Sequence, residues 1–424
     1  MREVVVQTEE FKDSPVGGIP KDWEVFRLSE VVPRAEYGIS VSLDDEIGIP
    51  VLRMNNLKDG EIELTDLKKS ASSKAANLLL KPLDVLFNRT NSIEHVGRTS
   101  IWRGQIEQTS FASYLVRLIP DQSKLIPNYL NIWLNLPSTQ LLIRRYATPG
   151  VHQVNINPTN LRKVLIALPT NLLEQKNIAE ILDTVDEAIA RTSSLIIKLK
   201  QTKAGLLQDL LTLGLDEDGK LRDPQVHPEQ FKDSPLGQIP RDWEVLLVSN
   251  CVERIEQGWS PDCEQFSTPI GEWGVLKTTS VVWEGYQDSA NKRLPSHLEP
   301  DHNYEVKLGD VLMTRAGPNY RVGVVALVNQ TQGKLMLSDK LYRLVPREFI
   351  KPNFLVYALS GSRTQSYLST LKTGLAESQT NISQDIVRSL LVILPSEIEQ
   401  ESIISILNTH EKRIRTEETY LNKL

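Results

Sequence analysis

The chain has 424 residues, 40% apolar and 24% charged, with a net charge of −6. That length supports two domains with separate cores, and no apolar stretch approaches the ~18 residues of a membrane span. The opening MREVVVQTEE carries acids where a secretory signal needs a basic patch and an apolar run, and Cys251 and Cys263 lack metal-knuckle spacing, so a reduced, cytoplasmic protein is expected.

Residues 11–25 read FKDSPVGGIPKDWEV. Proline and glycine here dictate an irregular, extended opening, with Trp23 as an anchor to the core behind it. Short β-type runs follow at 51–54, 85–88 and 115–119, then a helical run at 127–145, and a last β run at 164–168 that ends in Leu168-Pro169. From 174 to 213 there is no proline and a single glycine, Gly205. Apolar positions there alternate steps of four and three (Ile178, Leu182, Val185, Ile189, Ile196, Leu199, Leu206, Leu210), with Thr192 and Lys203 in the same stripe. That is a heptad seam.

After a polar stretch at 214–230 the chain begins again. Residues 231–245 read FKDSPLGQIPRDWEV, 220 positions after the first copy. Asp84-Val85-Leu86 recurs as Asp310-Val311-Leu312, Asn155-Ile156 as Asn381-Ile382, Leu168-Pro169 as Leu394-Pro395, and Glu174-Gln175 as Glu399-Gln400. β-type runs at 275–278, 311–314, 323–328 and 341–345 and a helical run at 351–371 match those of the first copy. Ile403, Leu407, His410, Ile414, Glu417, Leu421 and Leu424 repeat the seam, with polar residues at two positions. A period this long marks a duplicated domain rather than a solenoid. Mixed strands with one main helical run per copy give an α+β fold. Matched positions lie at edges and connectors, whereas the interiors (27–80 and 246–306) share almost nothing, so one scaffold carries two variable faces. Neither seam is stable as an isolated rod, and the economical arrangement packs one on the other. A helix of about 40 residues spans roughly 60 Å, longer than one turn of B-DNA.

The charge is unevenly distributed. Residues 50–165 hold 15 lysines and arginines against 8 acids, and 307–395 hold 11 against 5. Acidic connectors around two basic lobes suit a chain that meets phosphate with its lobes.

The duplication, with copies ending in ALPTNLLEQKNIAEILDTVDEAI and VILPSEIEQESIISILNTHEKRI, together with VLRMNNLKDGEI, VLKTTSVVWEG and the Asp-Val-Leu-x-x-Arg turns, resembles the specificity subunit of type I restriction–modification enzymes. The resemblance covers essentially the whole chain. It implies a target recognition domain over 1–173, a spacer helix over 174–213, a linker over 214–230, a second target recognition domain over 231–395 and a second spacer helix over 396–424, the helices packed as an antiparallel coiled coil. It further implies a non-catalytic subunit without a cofactor. Each domain would read half of a bipartite, asymmetric double-stranded DNA target, and the helices would set the spacer. Two modification subunits, which methylate adenine, would dock on the helices, and restriction subunits would join through the complex. The second seam stops at Leu424, which aligns with Leu199, so docking of one partner copy is expected to be weaker.

A self-sufficient enzyme would show other residues. Asn157-Pro158-Thr159-Asn160 does not fit the Asn/Asp-Pro-Pro-aromatic turn of adenine methyltransferases, and both Gly-Lys pairs precede leucine rather than Ser or Thr. Asp301 and Glu305 ahead of Lys307 have the composition of a nuclease site but lie too close in sequence to occupy adjoining strands. A protein-bridging scaffold is the remaining alternative. Base edges are read by Arg, Lys, Asn, Gln, Ser and Thr on loops. The first copy offers Arg53, Asn55 and Asn56; Arg89, Thr90, Asn91 and Ser92 with His95 and Arg98; and His152 with Gln153. The second offers Lys277, Thr278, Thr279 and Ser280; Arg315 with Asn319, Tyr320 and Arg321; and Ser378 with Gln379.

Overall fold

The computed structural model describes residues 10–150, 153–372 and 380–424. Two compact units divide the chain at Ala188 and Ile189, inside a long helix.

In the first lobe the Pro/Gly-rich opening folds back as a two-strand ribbon, Phe11–Lys12 against Ile19–Pro20, closed by a turn in which Gly17 takes φ of 103°. Strand Trp23–Arg27 then pairs antiparallel with Leu165–Pro169, so the first and last strands of the lobe lie side by side. A four-stranded antiparallel sheet orders Thr99–Ile101, Val85–Asn88, Leu115–Ile119 and Arg34–Tyr37. A three-stranded sheet places Ile49–Leu52 between Ser110–Phe111, parallel to it, and Lys68–Ser70, antiparallel. Val85 and Phe87 pack with Val116, Leu118 and Leu130 of helix Pro127–Asn135. Leu86 packs on the opposite face with Leu52, Phe111 and Leu115. The strand is buried on both faces, which is why it reads as an unbroken apolar run instead of alternating.

The second lobe repeats this order. Its opening ribbon is Phe231–Lys232 against Ile239–Pro240, and Glu244–Leu247 pairs with Leu391–Leu394. The four-stranded sheet runs Val325–Leu327, Val311–Thr314, Leu341–Pro346, Val252–Gln257. The three-stranded sheet sets Gly274–Leu276 parallel to Leu335–Met336 and antiparallel to Asn291–Arg293. The expected α+β duplication is therefore present in the order of these sheets, including interiors whose sequences share almost nothing.

The first long helix is Leu172–Leu210, capped by Asn171 Oδ1, which accepts from Leu173 N at 2.9 Å. The second is Glu397–Leu421, capped by Ser396. Within the unit 189–424, Lys203 pairs with Glu411 and Lys200 with Glu418 at 2.8 Å. Numbers fall along one helix as they rise along the other, so the two are antiparallel. Thr192, Ile196, Leu210, Ile403, Leu407 and Ile414 are buried; Ile189, Leu199, His410 and Leu421 are half-buried. In unit 1–188, Ile178 packs on the lobe core and Val185 is half-buried, but Leu182, expected in the seam, is 40% exposed. The heptad stripe is therefore not buried at every position. No helix among the described residues is long and apolar enough to cross a membrane.

Candidate nucleic-acid interface

The first pair of expected reading loops folds into equivalent single turns. Met54–Asn56 and Thr278–Ser280 are both 3-10 turns in which the third residue's N–H donates to the carbonyl of the preceding cation, Arg53 or Lys277, at 3.0 Å. Asn56 and Ser280 are fully buried. Asn56 Nδ2 donates to the carbonyls of Glu63 and Thr65 and its Oδ1 accepts from Arg53 N, while Ser280 Oγ donates to the carbonyl of Lys277. Their polar atoms close the turn, so these two expected readers are corrected to structural residues. Asn55 is exposed, and Lys277, Thr278 and Thr279 are half-buried. Arg53 donates to Asp66 at 2.6 Å, which holds the Asp66 carboxyl below its ordinary range.

The second pair centres on Arg89 and Arg315, each placed where a central strand ends. Arg89 N donates to the carbonyl of Tyr114 and Arg315 N to that of Lys340, both at 3.0 Å; their own carbonyls accept from Ile156 N and Ile382 N. Arg89 Nη1 reaches the carbonyl of Ser113 at 3.5 Å, with the guanidinium 5.1 Å from the Tyr37 ring centroid. Arg315 Nη1 reaches the carbonyl of Asp339 at 3.2 Å, with its guanidinium 5.6 Å from the Tyr342 ring. In both, Nε is buried and without a partner.

Strand Thr90–Asn91 pairs with Val154–Asn155, which also pairs with Thr148–Pro149, so the arginine turn and the loop carrying Gln153 are brought together. Ala316–Gly317 pairs likewise with Thr380–Asn381. Thr90 Oγ1 donates to Asn155 Oδ1 and Ser92 N to Asn91 Oδ1; His95 and Gln153 are exposed and Arg98 is half-buried. Asn319 and Tyr320 are exposed, the latter by 70%, and the Arg321 guanidinium lies 5.5 Å from the Tyr320 ring. His152, Ser378 and Gln379 lie outside the described residues. The nuclease-like acids are occupied elsewhere: Asp301 caps a 3-10 turn and Glu305 Oε1 accepts from Lys334 N. No cluster of three or more His, Cys, Asp or Glu among the described residues could hold a metal.

The pattern of the type I restriction modification DNA specificity domain matches residues 20–201 and 278–424. The chain belongs to that family. It is similar to the type I restriction enzyme EcoEI specificity subunit of Escherichia coli, 37% identical over 215 residues, a stretch covering 50% of this chain and 35% of that one. It is also similar to the type I restriction enzyme MjaVIII specificity subunit of Methanocaldococcus jannaschii, 24% identical over 96% of this chain and 90% of that one. The chain thus spans about a third of the length of the first relative and most of the second. A solved structure of a type I restriction-modification system S subunit from M. genitalium shares the fold, with a TM-score of 0.59, 14% identity, and coverage of 95% and 92%.

Three features of this specificity-family chain were missed in the sequence. The first is Glu36-x-Gly38-x-Ser40, which recurs at the same 220-residue offset as Glu256-x-Gly258-x-Ser260 and was available as a repeat signal. A Cβ on Gly38 would sit 2.2 Å from the carbonyl oxygen of Ala112, and one on Gly258 1.8 Å from that of Leu337, so only glycine permits this approach. The second is a buried arginine on the neighbouring strand. Arg117 donates to Glu36, to Asp84 at 2.7 Å and to the carbonyl of Leu79; Arg343 donates to Glu256, to Asp310 at 3.1 Å and to the carbonyls of Glu305 and Asn303. The acid of each Asp-Val-Leu repeat is therefore a clamp on this guanidinium. The third is the joint between lobe and helix. Trp23 Nε1 donates to Glu174 and Trp243 Nε1 to Glu399, at 2.9 and 2.8 Å. Gln175 and Gln400, both buried, each bridge three backbone groups.

Proposed function

We propose that this chain is the DNA sequence-recognition subunit of a type I restriction–modification enzyme, each lobe reading one half of a bipartite, asymmetric double-stranded target. The observation that carries the reading is one backbone with two sets of side chains. Arg89 and Arg315 hold the same place, yet the residues that follow are Thr90-Asn91-Ser92 in one lobe and Ala316-Gly317-Pro318 in the other. A common cation beside unlike donors and acceptors suits a shared grip on phosphate or guanine together with different base readout. The subunit itself is non-catalytic in this reading. The long helices set the spacer between half-sites and dock two modification subunits, and methylation, translocation and cleavage belong to the partner subunits.

The test is duplex binding by the full chain across a salt titration. A slope equivalent to several phosphates is expected, and Arg315→Ala should weaken binding by about 1–3 kcal/mol. Salt-independent or absent duplex binding would favour a protein-bridging scaffold instead.

A further inference from the structure

Arg89 and Arg315 are equivalent, but the residues whose carbonyls receive them are not: Ser113 in the first lobe, Asp339 in the second. The main chain of Asp339 is fastened on both sides, its N–H donating to Ser260 Oγ at 3.1 Å and its carbonyl accepting from Arg315. Its carboxylate is not: Oδ1 is shielded from solvent with no hydrogen-bond partner, as is the Nε of Arg315 beside it. A shielded acceptor and a shielded donor left unpaired on adjacent segments are each a cost that a matching partner removes. An aspartate among cations is an obstacle to phosphate, so on a DNA-facing surface it gains only from a hydrogen-bond donor. In the major groove cytosine presents such a donor, its N4 amino group, while the paired guanine presents the O6 and N7 acceptors that arginine reads.

We propose that Arg315 and Asp339 read one G·C pair of the second half-site, Arg315 donating to guanine and Asp339 accepting from cytosine N4, so that Asp339 is a specificity-determining residue. This rests on the DNA-reading function proposed above. The first lobe, with neutral Ser113 beside Arg89, lacks the cytosine requirement at the equivalent position.

The experiment selects duplexes from a pool with both half-sites randomised, using the full chain, and sequences the bound fraction. The wild type should enrich G·C at one position that Asp339→Asn relaxes by roughly 5- to 100-fold, with other positions and the salt slope little changed. Ser113→Asp should impose a new cytosine preference in the other half-site, and this arm decides the matter should Asp339→Asn fail to fold. An unaltered base profile in a variant that still binds duplex overturns the assignment of Asp339. Absence of salt-dependent duplex binding by the wild type instead overturns the recognition function on which it rests.

Discussion

Arg343 joins three strands of the second lobe through one guanidinium, and replacing it by methionine isolates that contribution. The side chain is 11% exposed and donates to Glu256, Asp310 and two carbonyls. Methionine keeps much of the packing but removes the guanidinium from two carboxylates and two carbonyls, leaving Glu256 with Arg254 and Asp310 with the Lys307 N–H. Removing one partner of a buried ion pair costs about 3–5 kcal/mol, but the acids here are 21% and 25% exposed and can rehydrate, so about 2–3 kcal/mol is expected. Hydrogen exchange of the amides in Leu341–Pro346 reads this locally, with the Arg117 cluster of the first lobe as an internal control. The acid side gives a second readout. Burial raises the Glu256 carboxyl, but hydrogen bonds from Arg254 and Arg343 outweigh it, and its pKa lies below the ordinary value. A lowered folded-state pKa contributes stability above the unfolded value of about 4.3 that is lost as pH falls through the folded value. Arg343→Met should therefore flatten the decline below about pH 4.3. Protection within 0.5 kcal/mol of wild type, with an unchanged acid profile, would show that desolvation cancels the attraction and refute the clamp.

Glu399 accepts from Trp243 Nε1, Leu215 N and Arg222, so Glu399→Gln leaves the Arg222 guanidinium with only the more exposed Asp242 carboxylate and should cost about 2–3 kcal/mol in denaturant unfolding of the second lobe. Lys203→Glu places like charges opposite Glu411 in the helix pair, and a loss of about 0.5–1 kcal/mol that shrinks with added salt is expected in thermal unfolding. A four-residue insertion near Ala190 lengthens the first helix by about 6 Å, close to two base pairs of rise. Methylated sites mapped in cells carrying the assembled enzyme should then show a longer spacer, and an unaltered spacer would defeat the ruler reading.

Several features were legible in one dimension because they are local or periodic. The duplication is visible in FKDSP…DWEV and in the Leu-Pro and Glu-Gln pairs, and the helices in a stripe of three and four over a stretch free of proline. The equivalence of Arg89 and Arg315 was legible too, since each follows an Asp-Val-Leu at the same spacing. What the repeated edges are for was not legible, since Trp23 meets Glu174 and Trp243 meets Glu399 across about 150 residues of sequence. Nor was the fate of Asn56 and Ser280, whose side chains look like readers until the turn buries them. The exposure of Leu182 follows the same logic: a stripe says which face is apolar, but only tertiary packing decides which of its residues are buried. Hydrogen bonding and packing between strands some 80 residues apart, as from Arg117 to Glu36, depend on the sheet order that brings them together, and no local pattern encodes that order. The Glu-x-Gly-x-Ser repeat lies between these cases: its letters were present twice in the chain, and its reason, a glycine pressed against a carbonyl beside a clamped arginine, exists only in the folded lobe.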